Sequence, residues 1–293
     1  VRAECIVCDK LGVMRPRLVD LLARFVGSSI ADAIVPTYAV MLAIGTIIGA
    51  LFAVAGARRQ GYSRAASISV LMAAYVAGLA GACAVPAAQA IASFGQGGRL
   101  AAPTGFAAYG GLVGGTLGGL LWIRLAHREI DPWRFLDVVA PSLAIGIFFA
   151  RVGCFLAGCD YGTPTRSIVG TAFPAGSHAF RDHVARGWID ASASASLPVH
   201  PTELYEAGVG LLLFFALRAS KLERRGARFV ALVVGYALAR SAIEFVRGDA
   251  SRGHVGALST SQAFAIATSL CAIACFALAR RDAHAPDVKA SVT

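Results

Sequence analysis

Tyr236, Arg240 and Glu244 recur every four residues in an otherwise apolar stretch, which puts a phenol, a guanidinium and a carboxylate on one helix face. Arg247 follows within the next turn. On the simpler reading, Arg240 and Glu244 neutralise each other at a helix end. On the chemical reading, Glu244 orients Arg240 toward an anion, for which the planar guanidinium fork is suited. A charge in hydrocarbon costs roughly 2.5–3.5 kcal/mol on insertion scales, so an ion in such a stretch asks for a function. A second constellation, Arg151 to Gly162, directly follows an apolar run. Arg151 supplies charge there, and Gly153, Gly158 and Gly162 loosen the backbone so that N–H groups can face an anion. Cys154 and Cys159 offer a disulfide, plain packing, or a nucleophile if a nearby cation or base lowers the thiol pKa. In a third segment, His200 to Glu206, Pro201 suits a first helical turn and Glu203 and Glu206 suit the positive end of the helix dipole. His200 there either caps the loop or serves a substrate.

These residues need long apolar elements to position them. Hydrophobic residues make up 57% of the 293 and charged residues 15%, with mean hydropathy +0.65, more apolar surface than a soluble domain could hide. The bilayer is therefore the expected solvent. The net charge of +10 lies mostly between apolar runs, with no basic stripe or aromatic platform, which argues against nucleic acid and for anionic lipid. The expected fold is all-α and polytopic, with about seven transmembrane helices near Tyr38–Ala57, Ala66–Val85, Ala107–Ile123, Phe135–Phe149, Leu204–Leu217, Phe229–Val246 and Val255–Leu278. The fourth and fifth runs are short, and Pro141 in the fourth predicts a tilted, broken or re-entrant segment. The first run is long enough to span and is expected to stay in the mature chain.

Arginine-rich connections at 58–64, 124–134 and 218–228 predict the cytoplasmic side, with the N-terminus outside and the C-terminus inside. Residues 1–35 then form an N-terminal extension and amphipathic surface helix, 36–281 the seven-span membrane domain, and 282–293 a cytoplasmic tail. Within the membrane domain, 158–199 is a polar outer excursion containing a small-residue linker at Ala191–Ser196. Glycine pairs at 110–111, 114–115 and 118–119 form a flat stripe for close helix or lipid approach. The seven cysteines show no zinc-ribbon pattern, so no metal and no cofactor are expected. Cys83, Cys271 and Cys275, inside apolar runs, are expected to be small buried hydrophobes. Asp137, near the start of the fourth run, is expected to be solvated.

In order and spacing, Pro36–Thr37–Tyr38, Tyr109–Gly110–Gly111, Arg151–Val152–Gly153 with Gly158, His200 to Glu206, and the Tyr236, Arg240, Glu244 face resemble the prolipoprotein diacylglyceryl transferase family, from about Pro36 to Gln262. The resemblance implies an enzyme of the bacterial plasma membrane. Such an enzyme moves a diacylglyceryl group from phosphatidylglycerol to the lipobox cysteine of a prelipoprotein signal peptide and releases glycerol phosphate. It implies that Arg151 and Arg240 hold the phosphate, that Glu244 orients Arg240, and that Tyr38 and Tyr236 line a lipid cavity. Gly110, Gly111, Gly153, Cys154, Gly158 and His200 would complete the substrate site. Three positions depart from the family pattern: Tyr109 stands where a His is usual, Cys154 where an Asn is usual, and Cys159 where an acidic residue is usual, with Asp160 one place later. A phenol of ordinary pKa near 10 is a poor base at neutral pH, so either Tyr109 works as a hydrogen-bond donor or deprotonates beside an arginine, or the chain is a divergent member with a different lipid or acceptor. A lipid-binding or transport protein that uses the same cavity without turnover is the alternative from another class.

Overall fold

The computed structural model describes residues 37–95, 108–248, 254–255 and 258–282. The segment expected to lie as a surface helix before residue 36, and the tail from 283, fall outside these. Seven long helices occupy the places of the seven expected spans: α1 (Thr37–Arg59), α2 (Arg64–Gly95), α3 (Ala108–Ala126), α4 (Pro132–Ala157), α6 (Thr202–Ala219), α7 (Ala227–Ile243) and α8 (Thr260–Asp282). A short helix, α5 (His178–Ala185), lies in the polar excursion at 158–199. A 3₁₀ turn, Glu244–Val246, closes α7. Five of the long helices are long and apolar enough to cross a membrane. Of the other two, α3 carries a shorter apolar stretch, Gly110–Ala126, and α6 carries Glu203, Glu206 and Arg218. Large apolar side chains such as Leu51, Val76, Leu121, Leu212 and Leu270 turn outward, the arrangement that a lipid solvent stabilises.

Several expectations are corrected. Pro141 does not break the fourth span: α4 runs unbroken from Pro132 to Ala157, with the proline inside it. In membrane helices neighbouring groups can re-satisfy the backbone that proline leaves open. The helix also continues past Phe149, so Arg151, Gly153 and Cys154 are helical rather than part of a loop. The last span starts later than Val255, because His254–Val255 (β1) and Leu258–Ser259 (β2) pair as an antiparallel two-stranded ribbon. Cys83, Cys271 and Cys275 are exposed rather than buried. Asp137 is not simply solvated, since its Oδ2 accepts the Gly226 N–H at 2.7 Å.

The described chain divides into two compact units. One comprises Ala50–Val139 with Glu223–Gly226. Its core joins Ala57, Ala66, Val70, Ile123, Ile130 and Phe135. The glycine stripe of α3 lies directly on α2: a Cβ at Gly81 would stand 2.3 Å from the Gly110 oxygen, and one at Gly114 2.6 Å from the Ala77 oxygen. Association of helices in lipid lacks a hydrophobic drive, so close backbone approach of this kind supplies the attraction through packing.

The other unit comprises the described residues to Gly49, Ala140–Leu222 and Ala227 onward. In it, Gly153 lets α1 approach α4, because a Cβ there would stand 3.0 Å from Met41 Cβ and 3.2 Å from Tyr38 Cδ2. The polar excursion at 158–199 is a folded layer. Phe155, Tyr161, Phe173, Ala179 and Val199 form its core, and isolated bridges join Pro164 and Thr171 to Val199 and Pro174 to Ala195. The small-residue stretch is part of this layer, since the buried Ser196 Oγ accepts the Phe173 N–H at 2.9 Å. His183 is fully buried between Tyr161 and Trp188 and accepts the Leu197 N–H on Nδ1. Burial, with the Arg186 cation, holds this imidazole below its ordinary pKa against the opposing pull of Asp182.

Candidate functional site

Three helices of the larger unit bring their charges to one place. Arg151, near the C-terminal end of α4, donates from Nη1 to Asp160 Oδ2 at 2.7 Å and pairs through Nη2 with Glu206 Oε1 at 3.1 Å. Glu206 lies in the second turn of α6 and is almost fully buried. The same Glu206 oxygen lies 3.6 Å from Arg240 Nε on α7 and accepts the Tyr236 hydroxyl from one turn earlier on that helix. Arg240 in turn donates to Glu244 and, from Nη2, to Ser261 Oγ at 3.1 Å. Arg247, just beyond the 3₁₀ turn, closes the set by donating from Nη2 to Asp160 Oδ1 at 2.8 Å. Three guanidiniums thus meet three carboxylates, and Arg240, Arg247, Glu206 and Glu244 are all buried. Full pairing is what allows so many charges to leave water, because each buried ion without a partner costs several kcal/mol.

The local backbone explains how Asp160 reaches two arginines. Gly158 ends α4 with φ +68°, a left-handed position that glycine occupies at no steric cost. Asp160 follows at φ +64°, unusual for a residue with a Cβ and held here by its surroundings. Its carbonyl accepts the Thr202 hydroxyl at 2.7 Å and its carboxylate is clamped by Arg151 and Arg247. Burial alone would raise this carboxyl, but the two guanidiniums outweigh it and hold the pKa at about 2. Gly162 and Thr163 are then stitched to His200 and Val246 by backbone bonds of 2.8 to 3.0 Å.

Of the residues singled out in the sequence, Arg151, Arg240, Glu244 and Tyr236 come together in this cluster, and Tyr38 and Gly153 meet where α1 packs on α4. Cys154 is buried one turn from Arg151, its thiol donating to Asp160 Oδ2 at 3.6 Å. Cys154 and Cys159 are free thiols. His200 braces Gly162 through its backbone, and its ring pairs with the Tyr205 hydroxyl at 3.1 Å. Gly110 and Gly111 belong to the seam of the other unit, where Tyr109 lies in the first turn of α3. Three members of the cluster are not marked as functional by sequence alone: Glu206 suits the helix dipole, Asp160 follows Cys159, and Arg247 lies one turn beyond Glu244. The signal for Glu206 was the cost of its own charge: a carboxylate in an apolar run needs a cation as much as Arg240 needs an anion.

Long apolar helices with outward-turned apolar side chains around a paired, buried arginine–carboxylate core define a polytopic membrane protein. The family model described as prolipoprotein diacylglyceryl transferase matches residues 26–278. The chain belongs to that family. It is similar to the phosphatidylglycerol–prolipoprotein diacylglyceryl transferase of Clostridium tetani, 35% identical over 178 residues that cover 60% of this chain and 65% of the relative. A second such protein, from Clostridium perfringens, is 36% identical over 55% of this chain and 57% of its own length. The protein of the same name from Caulobacter vibrioides is 36% identical over 49% of this chain and 47% of its own. The matched segments thus span between about half and just under two thirds of these curated relatives.

Proposed function

We propose that this protein transfers a diacylglyceryl group from phosphatidylglycerol to the lipobox thiol of a prelipoprotein signal peptide, releasing glycerol phosphate, at the bacterial plasma membrane. The observation that carries this reading is the buried bridge of Arg151 and Arg240 across Glu206. In the transfer, the thiolate sulfur attacks the glycerol carbon that bears the phosphate ester. The S–C bond forms, the C–O bond breaks, and the electron pair leaves on the phosphate. Charge therefore grows on the phosphate oxygens, where pre-positioned guanidiniums stabilise the transition state more than the ground state. Each guanidinium has five N–H donors in a fixed plane, so Arg151 and Arg240 can hold their carboxylates and still donate to a phosphate. Glu244 and Glu206 fix the direction of those forks, and Tyr38 lines the acyl-chain side. The arginine-rich connections at 58–64, 124–134 and 218–228 support an orientation with the C-terminus cytoplasmic and residues 158–199 outside, where an exported acceptor would dock.

The test is release of labelled glycerol phosphate from headgroup-labelled phosphatidylglycerol with a lipobox peptide. Arg240→Ala is expected to lower the rate by ~10²–10³, the usual effect of removing one transition-state donor. No release by well-folded protein, or release unaffected by Arg240→Ala, would overturn the reading.

A further inference from the structure

Beside the arginine cluster, Cys154 Sγ, Cys159 Sγ and a carboxylate oxygen of Asp160 all lie within 4.8 Å of one another. These are three ligand atoms of the kind that zinc prefers. In a tetrahedral zinc site with Zn–S ~2.3 Å and Zn–O ~2.1 Å, the S···O edge is roughly 3.6 Å. Cys154 Sγ stands 3.6 Å from Asp160 Oδ2. The clamped, left-handed backbone at Asp160 already holds the carboxylate in that place.

The charges also permit a cation. Each carboxylate oxygen has two lone pairs, and on Oδ2 one takes Arg151 while the other takes the Cys154 S–H, the contact that a metal would replace. Two thiol protons leave as one dication enters, so the local charge does not change. A bound dithiolate–carboxylate centre of net charge −1 would sit beside Arg151 and Arg247, which favour an anion. Glu203 is fully buried nearby, with neither carboxylate oxygen hydrogen-bonded among the described residues, and it lies within electrostatic range of Arg247 as well as of Cys159 and Asp160.

We propose that Cys154, Cys159 and Asp160 form a site for a thiophilic divalent cation, zinc foremost, whose fourth position takes the acceptor thiol of the transfer. The three-ligand site stands on its own; the role of the fourth position rests on the transferase reading. Three protein ligands with one open position is the arrangement of catalytic rather than structural zinc. A thiol bound there loses its proton outright to solvent, and the zinc thiolate is the attacking sulfur. This would supply the activation that Tyr109, standing where the family usually has His, leaves open.

The experiment uses the full chain, purified in detergent under a non-thiol reductant, stripped with chelator and reloaded with zinc or cobalt. About one equivalent of metal per chain is expected to survive desalting, with thiolate-to-cobalt charge-transfer absorption in the near ultraviolet. Cys154→Ser and Cys159→Ser are each expected to lose most of it. The cobalt spectrum of the unaltered chain needs no variant to fold. Absence of stoichiometric metal from reduced protein overturns the site, as does a Cys154–Cys159 disulfide that persists under the reductant. In the glycerol phosphate assay, metal-free protein is expected to regain activity on adding zinc. Equal rates with and without metal overturn the role of the fourth position. Stoichiometric metal without any release of glycerol phosphate leaves the site standing and rejects the transferase reading.

Discussion

Replacing Glu206 by Gln tests whether one buried carboxylate organises the site. The substitution keeps the shape and removes the charge shared by Arg151, Arg240 and the Tyr236 hydroxyl. Losing one partner of a buried ion pair costs ~3–5 kcal/mol. Here each arginine keeps a second carboxylate, Asp160 for Arg151 and Glu244 for Arg240, which places the cost at the lower end, about 3 kcal/mol. For a chain of this size that corresponds to a fall in unfolding midpoint of roughly 6–12 °C, readable by tryptophan fluorescence in detergent. Glu129, whose side chain is 65% exposed beside His127, provides the contrast. Glu129→Gln should stay within about 0.5 kcal/mol of the parent. Adding Arg151→Gln to Glu206→Gln should cost at least about 0.5 kcal/mol less than the sum of the single changes, because the two residues share one interaction. A Glu206→Gln midpoint within about 2 °C of the parent, or strict additivity in the double variant, would refute the idea that Glu206 bridges the arginines.

Other outcomes follow from features of the two units. Gly81→Ala, which would drive a Cβ against the Gly110 carbonyl, is expected to cost about 1–3 kcal/mol, whereas Gly146→Ala on α4, with open space around it, should be neutral or stabilise by up to about 1 kcal/mol; thermal unfolding compares them. The buried His183 has a folded-state pKa below its ordinary value of 6.5, so the unfolded chain takes up a proton first as pH falls. The 158–199 layer should therefore keep its full stability above about 6.5 and lose it progressively below, seen as faster amide exchange in residues 161–199, and His183→Gln should remove that pH dependence. Tyr109→His, at the position where the family usually has His, is expected to raise the rate of glycerol phosphate release by metal-free protein, in which no zinc thiolate is available; no change there would argue against Tyr109 as the limiting departure.

The long helices were legible because about twenty apolar residues in a row have few alternatives in lipid. Errors arose where a charge or a proline interrupted the pattern. Arg151 looked like the end of a span, but pairing with Asp160 and Glu206 lets α4 continue through it. Half of the site was visible from the period of four that joins Tyr236, Arg240 and Glu244. The other half, Asp160 and Glu206, lies 46 residues apart by numbering, and the two come to share Arg151 only through the folding of the 158–199 layer onto the start of α6. No local period reports such a contact. Likewise the proposed cation site was not legible, because Asp160 is brought back toward Cys154 by left-handed backbone at Gly158 and Asp160 that residue spacing does not report.

The seam between α2 and α3 has a consequence for how this protein can vary over time. At Gly81 and Gly114 the opposing atom is a backbone carbonyl, which no substitution on the facing helix can remove. At Gly118 the opposing atom is instead the Cβ of Ala77, 2.2 Å from where a new Cβ would stand. A change to alanine at 118 could be accommodated by a change to glycine at 77. Descendants of this sequence are therefore expected to trade residues between positions 77 and 118, while 81 and 114 stay glycine in every lineage that keeps the two helices together.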